Sequence, residues 1–386
     1  MEIHEYQLKA LFQKQGIPIL KGSVAYTGDE AVSKAAAIGG QKWVVKAQIY
    51  ENGRGRGTFL EDKKAPITGV FIAKTPAEVG EAAAYILGKT LCTASTPKDG
   101  KPVEKIYIEE YADFQNAFAI SFFIDRITQG ILCTLSKGEK LFIQYEITDY
   151  KIPSGVFNKI VSRLKFKGAL AQKTKKILKQ LYEFFIKYGV LALEARPIIV
   201  TQNDVPVVLD ARVVFDPDAL FRFPDIQALQ EVQAGSEREA YARSNGFRYT
   251  KLGGNIACLV NGLGLGLATL DSMTAAGGKA ACLIDVGSEP AKETVAKAFK
   301  LALSEPNIDG ILVNIFGGTT RCDIIAAGLI EASNEISVGM PIVVRMDGTN
   351  SKIGIRILFE SRLPFTVIEK MSEAVREIME KVKEAS

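Results

Sequence analysis

The sequence predicts an α/β protein of two domains, and two patterns carry that prediction. From about residue 250 onward, short apolar strands bounded by glycine alternate regularly with helical stretches, which is typical of a doubly wound parallel sheet. Before that point helices and strands follow in no regular order, which indicates a separate α+β domain. The 386 residues also exceed what one hydrophobic core usually supports. We therefore expect one domain over residues 1–235 and a second over residues 245–386.

The first half opens with an amphipathic helix over residues 4–14, ended by Gly16 and Pro18. β-branched and aromatic residues then predict strands at 43–49, 105–109, 118–125 and 131–134. A strongly periodic run predicts a helix over 173–188. After it we expect a strand at Leu191–Glu194, a turn at Arg196-Pro197, and paired strands at Ile198–Val200 and Val207–Leu209. The polar stretch 229–247 predicts a connecting helix and linker.

In the second half the predicted strands are Ile256–Val260, Ala281–Ile284, Gly310–Val313 and Pro341–Arg345. The predicted helices are 291–303, 322–333, 352–361 and 371–384. Ligands of such sheets bind at the carboxyl ends of the strands. That edge receives the loops 261–264, 285–288, 314–320 and 347–350.

Composition excludes several classes of function. A net charge of +4 gives no argument for nucleic acid or an acidic membrane surface. The N-terminus lacks a secretory pattern, and no apolar run approaches the roughly 20 residues that span a bilayer. Five scattered cysteines indicate unpaired thiols in the cytoplasm, or in the mitochondrial matrix for a mature eukaryotic chain. The single histidine, His4, makes an internal catalytic triad unlikely. We interpret His4 as a structural residue of the first helix.

Two clusters in the first half suit phosphate and metal chemistry. Lys46 lies in a strand-like run and precedes the loop 53–57, GRGRG. Glycines let backbone N–H groups approach phosphates closely, and the cations offset their charge, although a basic surface loop has the same sequence. Glu194 and Asp210 end two short β-like runs, so that hairpin pairing would bring two carboxylates together for Mg²⁺. Glu109 ends another strand and is either a nucleotide contact or a solvated acid.

The loop 314–323 is the most informative segment of the second half. It joins a strand to a helix whose N-terminus we expect near Thr319–Thr320. Free N–H groups and the positive end of the helix dipole make such a position an anion site. The alternative is a glycine turn that only reverses the chain.

Together these segments resemble the β subunit of succinyl-CoA synthetase. The resemblance is carried by HEYQ at the start, WVVKAQ followed by GRGR, LDAR with FDPDALFR, GNIACLVNGLGL, and NIFGGTTRCD. It implies an ATP-grasp domain, a flavodoxin-like CoA-ligase domain, and an α-subunit partner that carries a phosphohistidine and most of the CoA site. The positions that match nucleotide-binding residues are Lys46, Gly53, Arg54, Gly55 and Glu109. Asp210 matches a Mg²⁺ ligand, Glu194 an acid that assists phosphorylation of the partner's histidine, and Asn261, Gly318, Thr319 and Thr320 residues that meet the substrate carboxylate.

The sequence departs from that family around the nucleotide and the metal. Arg196 stands where a metal-ligand asparagine is expected, and Ala117 and Ala112 replace two nucleotide-site residues. The segments 137–140 and 287–290 also differ from glycine-rich stretches of the family. A guanidinium cannot coordinate Mg²⁺, so Arg196 either turns to the phosphates or pairs with Glu194 or Asp210 and closes the metal site. The second outcome predicts that the chain binds Mg²⁺-nucleotide poorly and that asparagine at position 196 strengthens binding.

The implied reaction joins succinate and CoA at the expense of ATP or GTP, giving succinyl-CoA, nucleoside diphosphate and phosphate. Two alternatives stay open at this stage. The chain could be an assembly-competent paralogue with weak or lost nucleotide chemistry, or a ligase for another dicarboxylate such as malate.

Overall fold

The computed structural model describes residues 1–63, 66–138, 141–148, 151–231, 237–336 and 338–385. The chain divides into two units, Met1–Glu231 and Val232–Ser386. The predicted linker and the departure at 137–140 fall partly outside the described residues. No helix in the described part of the chain has the length and apolar character needed to cross a membrane.

The helices of the first unit are α1 (Glu5–Lys14), α2 (Gly28–Ile38), α3 (Pro76–Ile86), α4 (Ser154–Leu164), α5 (Gly168–Lys187) and α6 (Pro224–Gln227). Its strands are β1 (Gly22–Ala25), β2 (Trp43–Ala47), β3 (Thr58–Phe59), β4 (Val70–Ala73), β5 (Thr90–Cys92), β6 (Lys101–Pro102), β7 (Ile106–Glu110), β8 (Phe114–Asp125), β9 (Gly130–Lys137), β10 (Leu141–Ile147), β11 (Val190–Thr201), β12 (Pro206–Val208) and β13 (Ala211–Phe215). Short 3₁₀ segments occupy Arg54–Arg56 and Pro217–Arg222.

The first antiparallel sheet of this unit has the order β1-β7-β2-β4. In β2 the side chains alternate between its two faces. Trp43, Val45 and Ala47 pack in the apolar core with α2 and α3. Lys46 therefore points to the opposite face, where it is nevertheless only 4% exposed. The alternation thus buries the Lys46 side chain on the face of the sheet opposite the apolar core.

The second sheet has the order β10-β9-β8-β11-β12, and β13 also pairs with β11. Phe118, Ile120 and Phe122 of β8 face the core that α4 and α5 complete. The predicted turn at Arg196-Pro197 is wrong, because β11 is one strand with a bulge between Ala195 and Ile198. Arg196 N donates to Asp210 O (2.8 Å) and Leu209 N to Pro197 O (3.0 Å), so cross-strand bonding continues through the bulge.

The second unit contains the helices α7 (Glu237–Ser244), α8 (Leu263–Ala275), α9 (Lys292–Leu303), α10 (Cys322–Glu335), α11 (Ser351–Glu360) and α12 (Met371–Ala385). Its strands are β14 (Arg248–Lys251), β15 (Ile256–Val260), β16 (Ala280–Asp285), β17 (Gly310–Gly317), β18 (Ile342–Gly348) and β19 (Phe365–Val367).

These strands form one sheet in the order β14-β16-β15-β17-β18-β19. All neighbouring pairs are parallel except β14 with β16. Alternate residues of β15 enter two separate cores. Ala257 and Leu259 pack with α9 and α10, whereas Ile256, Cys258 and Val260 pack with α8 and α12. Helices thus cover both faces, and the predicted doubly wound parallel sheet is confirmed.

Candidate functional site

A cleft of about 500 Å³ in the first unit collects most of the polar residues singled out in its sequence. Four arginines and four acids line it: Arg54, Arg56, Arg196, Arg212, Glu5, Glu51, Glu194 and Asp210. Gly53 and Gly55 of the GRGRG loop also contribute to the wall. Lys46 and Glu109 do not line the cleft. Both are buried behind the residues that line it.

Arg54 is the most tightly held of the wall cations. Its Nη1 donates to Ala47 O (3.0 Å), and its Nη2 lies 2.7 Å from both Asp210 Oδ2 and Glu5 Oε2. Because the guanidinium is only 8% exposed, these contacts replace its water shell. Burial alone would lower the pKa of Arg54, but the charges of Asp210 and Glu5 outweigh burial and raise it.

Behind the wall lies a buried cluster of alternating charges. The Lys46 ammonium lies 2.8 Å from Glu5 Oε1 and 2.6 Å from Glu109 Oε2, and it donates to Leu209 O (3.0 Å). Lys9 pairs with Glu109 and lies 3.1 Å from Glu5 Oε1. Glu109 is 0% exposed, so its carboxylate is enclosed by the two lysines. We call Glu5, Lys9, Lys46, Arg54 and Glu109 the ion cluster.

The charges of the ion cluster stabilise one another. Burial alone would raise the pKa of Glu5, but Lys46, Lys9 and Arg54 outweigh burial and hold it well below its usual value. Burial alone would lower the pKa of Lys46, and Glu5 and Glu109 raise it instead. Glu5, Lys46 and Arg54 are therefore ionised at neutral pH. Buried charges survive in this form only when they are paired and hydrogen-bonded.

Glu194, Arg196 and Arg212 come from the bulged part of β11 and from its neighbour β13. Glu194 stands opposite Arg212 in the ladder, but Arg212 Nη2 donates to Glu2 Oε1 (2.6 Å). Among the described residues, no side-chain hydrogen bond or ion pair involves Glu194 or Arg196. The hypothesis that Arg196 pairs with Glu194 or Asp210 is therefore wrong for the described residues, and the guanidinium that pairs with Asp210 Oδ2 is that of Arg54.

In the second unit, the loops after β15, β16 and β17 meet at the carboxyl edge of the sheet. Asn261 Nδ2 donates to Phe316 O (2.9 Å) and Thr320 Oγ1 (2.8 Å), while its Oδ1 accepts from Phe316 N (2.8 Å). Thr320 Oγ1 donates to Ser288 O (2.5 Å), and Thr320 is 1% exposed. These two side chains thus join the three loops.

At the same edge Gly318 and Thr319 are exposed, whereas Thr320 is buried. The backbone N–H groups of Thr319 and Thr320 have no hydrogen-bond acceptor in the part of the chain that the structure describes. The helix predicted over 322–333 begins as expected, since α10 starts at Cys322 after the cap residue Arg321. Thr319 and Thr320 lie just before that N-terminus. β17 extends to Gly317, so residues 314–317, which we expected in the loop, belong to the strand. The free N–H groups still suit an anion.

Sequence reasoning missed Glu5 and Lys9, although a signal for them exists. They are four residues apart on α1, on the same face as the buried Leu8 and Phe12. An acid and a base at this spacing on the apolar face of a helix indicate a buried ion pair. From the sequence we interpreted His4 as a structural residue. In the structure it is the N-cap residue of α1 and is 5% exposed. Its ring stacks on that of Tyr50, with 4.1 Å between the ring centroids.

Two protein-family models match this chain. Residues 2–200 match the family model of the ATP-grasp domain, and residues 259–379 match that of the CoA-ligase. The fold is therefore that of a two-domain ATP-grasp and CoA-ligase chain, and the predicted fold class is confirmed.

Proteins similar to this chain over its full length identify its family. The succinate–CoA ligase [ADP-forming] subunit beta of Rhodospirillum rubrum is 38% identical over 399 residues, and that of Rhizorhabdus wittichii is 40% identical over 399 residues, each pairing covering 100% of both chains. The chain belongs to the family of succinate–CoA ligase β subunits. The predicted family and its enzyme class, an acid–CoA ligase, are thereby confirmed.

A solved structure agrees on the fold. ATP citrate lyase from Methanothrix soehngenii, in complex with citrate and coenzyme A, has a TM-score of 0.80 with 15% identity, over 98% of this chain and 99% of that one.

Proposed function

We propose that the first unit binds Mg²⁺-ATP in its cleft and that the second unit receives succinate for ligation to CoA. The observation that carries this proposal is the cleft wall, where four arginines stand beside two carboxylates, Glu194 and Asp210. Phosphoryl transfer depends mainly on positioning and on cations that offset the charge of the phosphate oxygens. The names of the relatives support succinate and ATP as substrates. They do not favour a paralogue without nucleotide chemistry.

Arg54, Arg56 and Arg196 are the cations proposed to contact phosphate. Arg56 and Arg196 are exposed in the cleft, and neither has an ion pair among the described residues. Arg196 thus takes the first of the two roles that its sequence position left open. Lys46 and Glu109 would act from behind the wall, since their charged groups are already paired within the ion cluster.

Asp210 is the residue proposed to hold Mg²⁺. Its Oδ2 lies against Arg54, whereas its Oδ1 has no hydrogen-bond partner among the described residues. In the same part of the chain, no group of three or more His, Cys, Asp or Glu side chains could hold a metal by itself. Mg²⁺ at nucleotide sites commonly takes one or two carboxylates and completes its shell with phosphate oxygens and water. Asp210 fits that pattern, and the ion would neutralise phosphate charge when bound.

A partner chain must supply the phosphate-carrying histidine. His4 is the single histidine, and it is buried with burial lowering its pKa to about 4. A side chain that is 5% exposed offers little surface to a phosphoryl donor. We infer an α subunit that supplies the histidine and the CoA site, with Glu194 as the acid that assists phosphorylation.

In the second unit, the free N–H groups of Thr319 and Thr320, with Gly318, are proposed to bind the substrate carboxylate. Asn261 and the Thr320 hydroxyl would support them by fixing the loops. A cytoplasmic location is consistent with the free thiols of all five cysteines.

The nucleotide proposal is tested by titrating Mg²⁺-ATP calorimetrically into the full chain and into Arg196→Asn. We expect the variant to bind about tenfold more weakly, because it loses a charge-assisted contact to phosphate. Arg163→Asn removes an exposed arginine of α4 and should keep the wild-type Kd. Tighter binding by Arg196→Asn would contradict this assignment and restore the view that Arg196 obstructs the metal site.

A further inference from the structure

Glu5 is the one carboxylate that touches three cations of the ion cluster. It is the first residue of α1, and its side chain is 3% exposed. Oε1 lies 2.8 Å from Lys46 Nζ and 3.1 Å from Lys9 Nζ, while Oε2 lies 2.7 Å from Arg54 Nη2. The proposed function assigns no role to Glu5.

We propose that Glu5 is a positioning residue of the nucleotide site, whose carboxylate fixes the Arg54 guanidinium at the cleft wall. The inference rests on the proposed function, since it takes Arg54 as a phosphate-binding residue. Glu5 forms ion pairs with Lys9 of α1 and with Lys46 of β2. These two contacts fix its carboxylate, which in turn holds the Arg54 guanidinium in place.

The backbone of Arg54 is held by hydrogen bonds from Gly57 N and Gly69 N to its carbonyl oxygen, but the position of the guanidinium depends on contacts of the side chain itself. The residue begins a three-residue 3₁₀ segment, and Gly53 before it has a positive φ of 83°. Of the five N–H donors of a guanidinium, one Nη1 donor goes to Ala47 O and one Nη2 donor to Asp210 Oδ2. Glu5 Oε2 lies 2.7 Å from Nη2 as an ion pair and accepts no hydrogen bond. The remaining N–H donors have no acceptor among the described residues and are available to phosphate.

Asp210 holds Arg54 less firmly than Glu5 does. Its side chain is 36% exposed and is proposed to share its negative charge with Mg²⁺ through Oδ1, which would weaken its attraction to the guanidinium. Glu5, enclosed and paired with two lysines, stays. The ion cluster then contains three cations against Glu5 and Glu109. That excess of one positive charge favours phosphate.

The test is calorimetric titration of Mg²⁺-ATP into the full chain carrying Glu5→Gln. We expect a Kd about tenfold higher than wild type, with the number of competent sites unchanged. A purely structural defect would instead lower the number of sites at an unchanged Kd, and that result would overturn the proposal.

Glu231→Gln is the matched control. Glu231 anchors the same helix by accepting from Tyr6 Oη (2.6 Å) and Gln7 Nε2 (3.1 Å), but it has no contact with Arg54 or Lys46 among the described residues. Its Kd should equal that of the wild type. A loss as large as that of Glu5→Gln would mean that loosening α1 is sufficient, and would overturn the proposal.

If Glu5→Gln alone does not fold, adding Lys9→Met restores the charge balance of the ion cluster. The double variant should show the same tenfold loss, because Arg54 still lacks its anchor; a wild-type Kd would show that only charge balance matters and would refute positioning. Wild-type chain that binds no nucleotide would refute the proposed function instead, so the two failures are distinguishable.

Discussion

Replacing Glu194 by glutamine should lower kcat for acyl-CoA formation by about 10²–10⁴-fold, the usual range for loss of a positioned acid or base. Glu194 lines the cleft, and its carboxylate has no hydrogen bond or ion pair among the described residues, even though Arg212 stands opposite it in the ladder. Its carboxylate is thus free to accept a hydrogen bond from an incoming imidazole. Glutamine keeps the shape but cannot take up a proton.

The measurement is a coupled acyl-CoA assay with the α subunit, together with Mg²⁺-ATP titration. Nucleotide affinity should stay at the wild-type value, since Glu194 is not assigned to the phosphates. Glu183→Gln is a suitable control, because Glu183 is 49% exposed on α5 and pairs with Lys179. A kcat for Glu194→Gln within about threefold of wild type would remove Glu194 from the chemistry.

His4 should make the folded chain sensitive to acid. Burial lowers the pKa of His4 from 6.5 to about 4, while the nearby Glu231 carboxylate acts in the opposite direction. Between these two values the unfolded chain binds a proton that the folded chain does not, so stability falls as the pH falls from 6.5 toward 4. The full effect is roughly 3 kcal/mol. It is present above pH 6.5.

His4→Asn isolates this contribution, since asparagine is also a favoured residue before a helix. The difference in unfolding free energy between wild type and variant should shrink or reverse by roughly 3 kcal/mol between pH 7 and pH 4. Other titrating groups are common to both proteins and cancel in this difference. Parallel stability curves would contradict the burial of a neutral imidazole. A single imidazole in the chain also allows its pKa to be read directly by NMR.

The second unit could be predicted closely because its signals are local. β15 was predicted at its observed limits, and the predicted helices differ from α9 to α12 by at most two residues at each end. Strands buried on both faces give continuous apolar runs, and glycines mark their ends. α8 was missed because its first turn contains Gly264 and Gly266, which read as a loop. β14 was missed because it is short and mostly exposed.

The first unit was harder, because its site depends on long-range pairing. The strand signal around Lys46 was correct, but no local pattern shows that Glu5 and Glu109 enclose its ammonium. Arg54 and Asp210 are 156 residues apart in sequence, and only the fold brings them together. The bulge at Arg196 likewise depends on hydrogen bonds to residues 209 and 210. Sequence indicated which residues carry charge, and tertiary structure decides which of them remain free.

We propose that this chain presents nucleotide to a histidine on another subunit. The decisive experiment incubates the chain with Mg²⁺-ATP labelled on the γ-phosphoryl group, alone and with the α subunit, and locates the acid-labile label. We expect no phosphohistidine on this chain, whose His4 is 5% exposed, and label on the α subunit only when both chains are present. Label on His4, or α-subunit labelling that does not require this chain, would contradict it.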